Sequence, residues 1–245
     1  MITLYIKRFI VNVLTNSAVG FVLRLFYPKK ISFQGAILDS TTLTNKNLAS
    51  VRMNLYETKE VLMVNQFLDP KQTVIEVGSS LGIVSSQICK VNSGFKIFVE
   101  ANPTLMDKLK KNVALNCKDG NYEIKNLAIN HLNEPLYFSQ ASDNLIGHIT
   151  DKPSNNSVQI EGSSLTSIIE THKIEKYSLV MDIEGAEYDL VRFDKDAFKN
   201  CTQILAEFHD LTEVTYQQIV DLYVELGYEI KYQYHNRVFF EKVFA

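Results

Sequence analysis

Between residues 73 and 100 the chain alternates short apolar runs with small or polar breaks, and the same rhythm returns between 177 and 207. Runs of four to eight apolar, β-branched residues bounded by turn residues read as buried strands. On this pattern strands are expected at 73–77, 96–100, 122–129, 136–140, 158–161, 177–182 and 203–207. Helical spacing of apolar positions appears at 57–68, where Asp69-Pro70 ends the run because the residue before proline avoids helical geometry. Further helices are expected after the glycine turn to about residue 91, from Pro103 to about residue 116, at 165–171 behind Ser163 or Ser164, and at 215–226. The chain closes on a hairpin, 228–234 and 238–243, turning at His235-Asn236. Alternating strands and helices predict an α/β fold: a mostly parallel sheet with helices on both faces and an antiparallel strand from the C-terminal hairpin.

Residues 1–50 stand apart as a helical arm and a connector rich in Ser, Thr and Asn, ahead of a domain at 51–245. The apolar run 9–26 is interrupted by Asn12, Thr15, Asn16 and Arg24, too short and broken for a membrane span. It suits a helix packed on the domain or on a second subunit of a homodimer. Its flanking Lys7, Arg8, Arg24, Lys29 and Lys30 also suit contact with a membrane surface.

Composition adds little to the fold but narrows the partners. With 25 Lys and Arg against 28 Asp and Glu, the net charge of −3 counts against a dedicated nucleic-acid binder. Cys89, Cys117 and Cys201 form no Cys-x-x-Cys pair. So sparse and odd a set predicts core thiols in a reducing, cytoplasmic setting, with neither a disulfide framework nor a zinc site.

In parallel α/β sheets, ligands bind beyond the carboxyl ends of the strands. Four segments put chemistry there. Glu76-Val-Gly78-Ser79-Ser80-Leu-Gly82 is a strand breaking into a small-residue turn and then a helix, where backbone can approach a ligand closely. Glu100-Ala101-Asn102-Pro103 places a carboxylate at the next strand end, about 20 residues on, where it suits a ribose diol. Asp182-Ile-Glu184-Gly-Ala-Glu187 concentrates three carboxylates around a glycine; no histidine lies within it, and no metal is expected. Glu207-Phe-His209 ends the following strand, and alternation points Glu207 and His209 the same way.

Together these segments resemble the FkbM-type methyltransferase family over roughly residues 70–210. The likeness rests on Glu100-Ala-Asn-Pro103 and, more specifically, on Asp182-Ile-Glu-Gly-Ala-Glu187. Val180 stands where the family often has lysine, and Ser79-Ser80 replaces a more usual Ala-Asn. The resemblance implies a Rossmann-like class I methyltransferase fold, S-adenosylmethionine as cofactor, and O-methylation of a small-molecule or glycan acceptor such as a sugar hydroxyl. The cofactor contacts expected are Glu76, Gly78, Ser79, Ser80, Gly82, Glu100, Ala101, Asn102, Ala128 and Asp182. The base is expected at His209 or Asp182, with Glu184, Glu187 and Glu207 orienting the acceptor or His209. Two rivals stand beside this reading. One is a non-catalytic binding module on the same fold. The other is an α/β-hydrolase, since Gly78-x-Ser80-x-Gly82 fits a nucleophile elbow and Ser80, Asp182 and His209 occur in hydrolase order.

Overall fold

The computed structural model describes residues 11, 13–140, 147–150, 152–153 and 157–243. Lys7, Arg8 and the start of the expected apolar arm lie outside these. The arm includes α1 (Ser17–Phe26), a β-hairpin of β1 (Lys30–Phe33) and β2 (Ala36–Asp39), and α2 (Asn45–Arg52), which runs across residue 50. Next come α3 (Thr58–Phe67), β3 (Thr73–Val77), α4 (Ile83–Val91), β4 (Lys96–Glu100), α5 (Met106–Asn116) and β5 (Tyr122–Asn126). Short strands follow: β6 (Ala128–Ile129), β7 (Leu136–Gln140), β8 (Gly147–Thr150), β9 (Ser157–Ile160) and β10 (Gly162–Ser163). The remainder is α6 (Leu165–Thr171), β11 (Tyr177–Met181), α7 (Glu187–Phe193), β12 (Cys201–Glu207), α8 (Tyr216–Glu225), β13 (Tyr228–Tyr234) and β14 (Arg237–Lys242).

Seven strands form the central sheet in the order β13-β14-β12-β11-β3-β4-β5. β12, β11, β3, β4 and β5 are mutually parallel, and β14 is antiparallel to both of its neighbours. Strand order reverses between β3 and β11, because the chain steps outward through β4 and β5 before returning. That switch point opens a crevice at the carboxyl ends of β3 and β11.

Period-two alternation divides the core between the two faces of the sheet. Ile75, Val77, Ile97, Val99, Leu179, Met181, Ile204 and Ala206 pack on one side with residues of α6, α7 and α8. Val74, Phe98, Val180 and Leu205 pack on the other with Val61, Val64, Ile88, Leu109 and Val113. The arm joins this second layer through Ile31, Phe33, Leu38, Leu43 and Leu48. Asn112 and Asn116 of α5 fasten the hairpin, accepting from the amides of Asp39 (2.8 Å) and Ile37 (2.9 Å).

Two expectations need correction. The strand expected at 122–129 divides at Leu127, whose amide turns to the Glu100 carbonyl, and β6 then pairs with β10 outside the main sheet. The cysteines are not all free: Cys89 and Cys117 form a disulfide, while Cys201 is a buried thiol as expected. The pair is 28 residues apart in sequence, but α4 and α5 lie side by side and bring the Cα atoms within 4.8 Å. Closing a loop of that length stabilises a fold by about 3–4 kcal/mol in the chain-entropy treatment. Reduction, or Cys89→Ser, is therefore expected to lower the melting temperature of the pure protein by several degrees, read by circular dichroism with and without reductant. No helix among the described residues is long and apolar enough to cross a membrane.

Candidate active site

The glycine turn is shaped first by the protein's own packing. Gly78 has φ +85°, and a Cβ there would stand 1.7 Å from the Asp182 carbonyl oxygen. Glycine thus lets the ends of β3 and β11 touch, and the Asp182 amide donates to the Val77 carbonyl at 3.0 Å. Gly82 (φ +78°) begins α4 against Leu109, whose Cδ1 would lie 2.8 Å from an added Cβ. Between them Ser80 holds a left-handed φ of +49°. Ser79 and Ser85 both donate their hydroxyls to the buried Glu76 carboxylate. Burial pushes the Glu76 carboxyl up to about 7.

Glu100 reaches back to the same turn. Its carboxylate accepts from the amides of Ser80 and Asn102, both at 2.7 Å. Burial raises its pKa and these backbone bonds oppose the rise. An ionised carboxylate has about four acceptor positions, so capacity remains for the hydroxyls of a ribose. Asn102 caps the next turn by accepting from the Thr104 amide and hydroxyl. Ala101 packs against the small cluster of Ala128, Phe138 and Ile160. The Ala128 amide is spent on the Glu161 carbonyl (2.9 Å), so Ala128, fully buried, offers no backbone donor to a ligand.

Beside the turn lies a cavity walled by Glu57, Glu60, Glu76, Gly78, Asp182 and Glu207, with Arg237 among them. Arg237 pairs with Glu60 and with Glu207 (2.8 Å). Glu57 holds a left-handed φ of +49° at the start of α3, and its carboxyl is pushed well up by burial, Glu60 and Asp182. So many carboxylates around one guanidinium favour a cationic occupant. Sequence reasoning missed Glu57, Glu60 and Arg237. The available signal was Glu60, a carboxylate beside Val61 on the inward face of an amphipathic helix.

The acidic segment and His209 meet at the mouth. His209 Nδ1 lies 3.2 Å from Glu187 Oε1, while its Nε2 faces Glu184 (3.5 Å) and Asp182 (3.8 Å). The Glu187 side chain is fully buried and also accepts from the Ile183 amide at 3.1 Å. The Glu187 bond, with the nearby carboxylates, raises His209 to about 9. Burial and Glu207 raise Asp182, against the pull of His209. Glu207 does not orient the histidine: it accepts from Asn236 (3.1 Å) and pairs with Arg237. Strand alternation fails here because β12 ends at Glu207, and the Phe208 amide turns to the Asn236 carbonyl.

Residues 76–230 match the family description of the methyltransferase FkbM domain. The chain belongs to the FkbM methyltransferase family. Its methyl donor is accordingly S-adenosylmethionine. No curated protein sequence matches the chain. Among solved structures it is similar to precorrin-6y C5,15-methyltransferase of Geobacter metallireducens, with 11% identity over 75% of this chain and 85% of that one, TM-score 0.43. Ribosomal protein L11 methylase of Lactobacillus delbrueckii subsp. bulgaricus gives 13% identity over 78% and 80%, TM-score 0.43. M. capricolum TrmK bound to S-adenosylhomocysteine gives 11% identity over 74% and 67%, TM-score 0.43.

For an FkbM methyltransferase, the donor set fits its cofactor. Glu100 suits the ribose hydroxyls, and the acid-walled cavity suits the positive charges of the sulfonium and amino groups. The hydrolase relay is not formed: no hydrogen bond joins Ser80 to His209, whose Nδ1 is held by Glu187 and whose Nε2 faces Glu184 and Asp182. Asp182, Glu187 and His209 bring ligand atoms within 4.8 Å of one another, so the cluster does contain a histidine once folded. A protonated His209 supplies the counter-charge these carboxylates need.

Proposed function

We propose that this FkbM methyltransferase methylates a hydroxyl, in the first instance that of a sugar on a glycan, glycolipid or natural product, with His209 as general base. The observation that carries the reading is the Glu187–His209 pair. A buried carboxylate on Nδ1 fixes ring orientation and leaves Nε2 toward Asp182 at the crevice. When bound, S-adenosylmethionine supplies a methyl group on a sulfonium whose sulfide leaves neutral, so no leaving group needs a proton. His209 Nε2 takes the proton that the acceptor hydroxyl loses as its oxygen bonds to the methyl carbon. Asp182 and the exposed Glu184 offer acceptors to neighbouring hydroxyls of a polyhydroxylated ligand, holding it in line.

The product decides the acceptor chemistry. With radiolabelled S-adenosylmethionine and a panel of free and conjugated sugars, the label is expected in an alkali-stable methyl ether. Label released as methanol by mild alkali would mark a carboxylate ester and overturn the reading.

The pH profile tests the base. Only neutral imidazole accepts a proton, so kcat/KM is expected to climb with pH until His209 deprotonates near 9. Glu187 favours the imidazolium, and Glu187→Gln removes the largest raising cause. The acid limb should then move to lower pH. An unmoved limb would assign it to another group.

A further inference from the structure

We propose that the N-terminal arm docks this protein on an anionic membrane surface. Helix α1 faces the wrong way for a helix bathed in water. Phe21, Val22, Leu25 and Phe26 are 61%, 52%, 70% and 74% exposed. Their spacing gathers them on one face of the helix. The opposite side is held to the protein. A Cβ on Gly20 would strike the Asn45 backbone at 1.7 Å, so the helix sits directly on α2. The Arg24 guanidinium reaches Asn45 Oδ1 (2.8 Å) and the carbonyls of Ser40 (2.9 Å) and Leu43 (2.7 Å). The outward apolar face is thereby fixed in orientation.

Charge names the occupant. Residues 1–56 contain seven Lys and Arg and a single carboxylate, Asp39, although the whole chain is net acidic. Lys29, Lys30 and Lys46 are exposed, the first two directly after the apolar helix. An apolar stripe bordered by lysines matches the acyl boundary and anionic headgroups of a leaflet. The same excess of positive charge opposes pairing of two arms from two copies of the chain. The Asn112 amide group bonds both Thr42 Oγ1 (3.1 Å) and the Leu81 carbonyl (2.7 Å), tying the arm to the glycine turn. A docked arm would therefore hold the active site at a set bearing to the surface. This inference is independent of which acceptor is methylated.

The test is sedimentation of the full chain with phosphatidylcholine vesicles, with and without phosphatidylglycerol, at low and high salt. Binding is expected only with the anionic vesicles, weakening as salt screens the lysines. Leu25→Glu/Phe26→Glu is expected to bind at least about tenfold more weakly. Because both side chains are exposed, the variant should keep its melting temperature and its affinity for S-adenosylmethionine. Absence of binding, or equal binding to both vesicle types, would overturn the proposal. So would a dimer in sedimentation equilibrium that this variant dissociates while vesicles leave the wild type in solution.

Discussion

Replacing His209 with glutamine is expected to lower kcat by about 10²–10⁴-fold, the range that a positioned general base supplies. S-adenosylmethionine affinity should change far less, because the glycine turn and Glu100 are untouched. Glutamine keeps a polar side chain of similar reach against Glu187 but cannot accept a proton at neutral pH. The burden falls on His209 because the other groups at the mouth are committed or badly poised. Glu207 is paired with Arg237, and the Glu187 side chain is fully buried. Asp182 lines the acid-walled cavity beside the glycine turn, on the side assigned to the cofactor. Steady-state kinetics beside a binding titration separates the two effects. A variant that retains most of its kcat would move the base elsewhere.

Gly78→Ala is expected to be far more damaging than Gly82→Ala, the other glycine of the turn. Its Cβ would fall 1.7 Å from the Asp182 carbonyl oxygen, a backbone atom that cannot swing aside, at a residue with φ +85°. The ends of β3 and β11 would have to part, breaking the Asp182–Val77 backbone bond and opening the crevice floor. A loss of at least about 3 kcal/mol is expected from backbone strain and overpacking combined. Gly82→Ala is the control. Its added methyl meets the tip of Leu109 at 2.8 Å, a side chain that can move, so the cost should be smaller despite a similar φ. Denaturant melts of the two variants give the comparison, and equal stabilities would refute the packing argument.

The parts of this fold legible in sequence are those whose signal is local. Residues 73–77 and 96–100 are apolar runs closed by turn residues, and their strands lie where the pattern put them. The last hairpin and its turn at His235-Asn236 were equally plain. The β1–β2 hairpin was not, because two four-residue strands leave too short a period to stand out from a connector. Helix α7 was hidden too, since its first turn belongs to the acidic segment.

The site was legible residue by residue but not contact by contact. Glu100, Asp182 and His209 announce themselves at strand ends. That His209 answers to Glu187 and not Glu207 depends on where β12 stops. Glu60 and Arg237 meet across 177 residues of chain, and Cys89 meets Cys117 only because α4 and α5 pack together. Such pairings follow from tertiary packing, which no sequence window contains.

The central claim is that S-adenosylmethionine binds at the glycine turn with its ribose on Glu100. A calorimetric titration with S-adenosylmethionine and S-adenosylhomocysteine, of the wild type and of Glu100→Gln, tests it most directly. Hydrogen bonds to a charged carboxylate contribute about 1.5–3 kcal/mol, so the variant is expected to bind about 10–100-fold more weakly. Failure of the wild type to bind either compound, or undiminished affinity in a folded Glu100→Gln protein, would contradict the account.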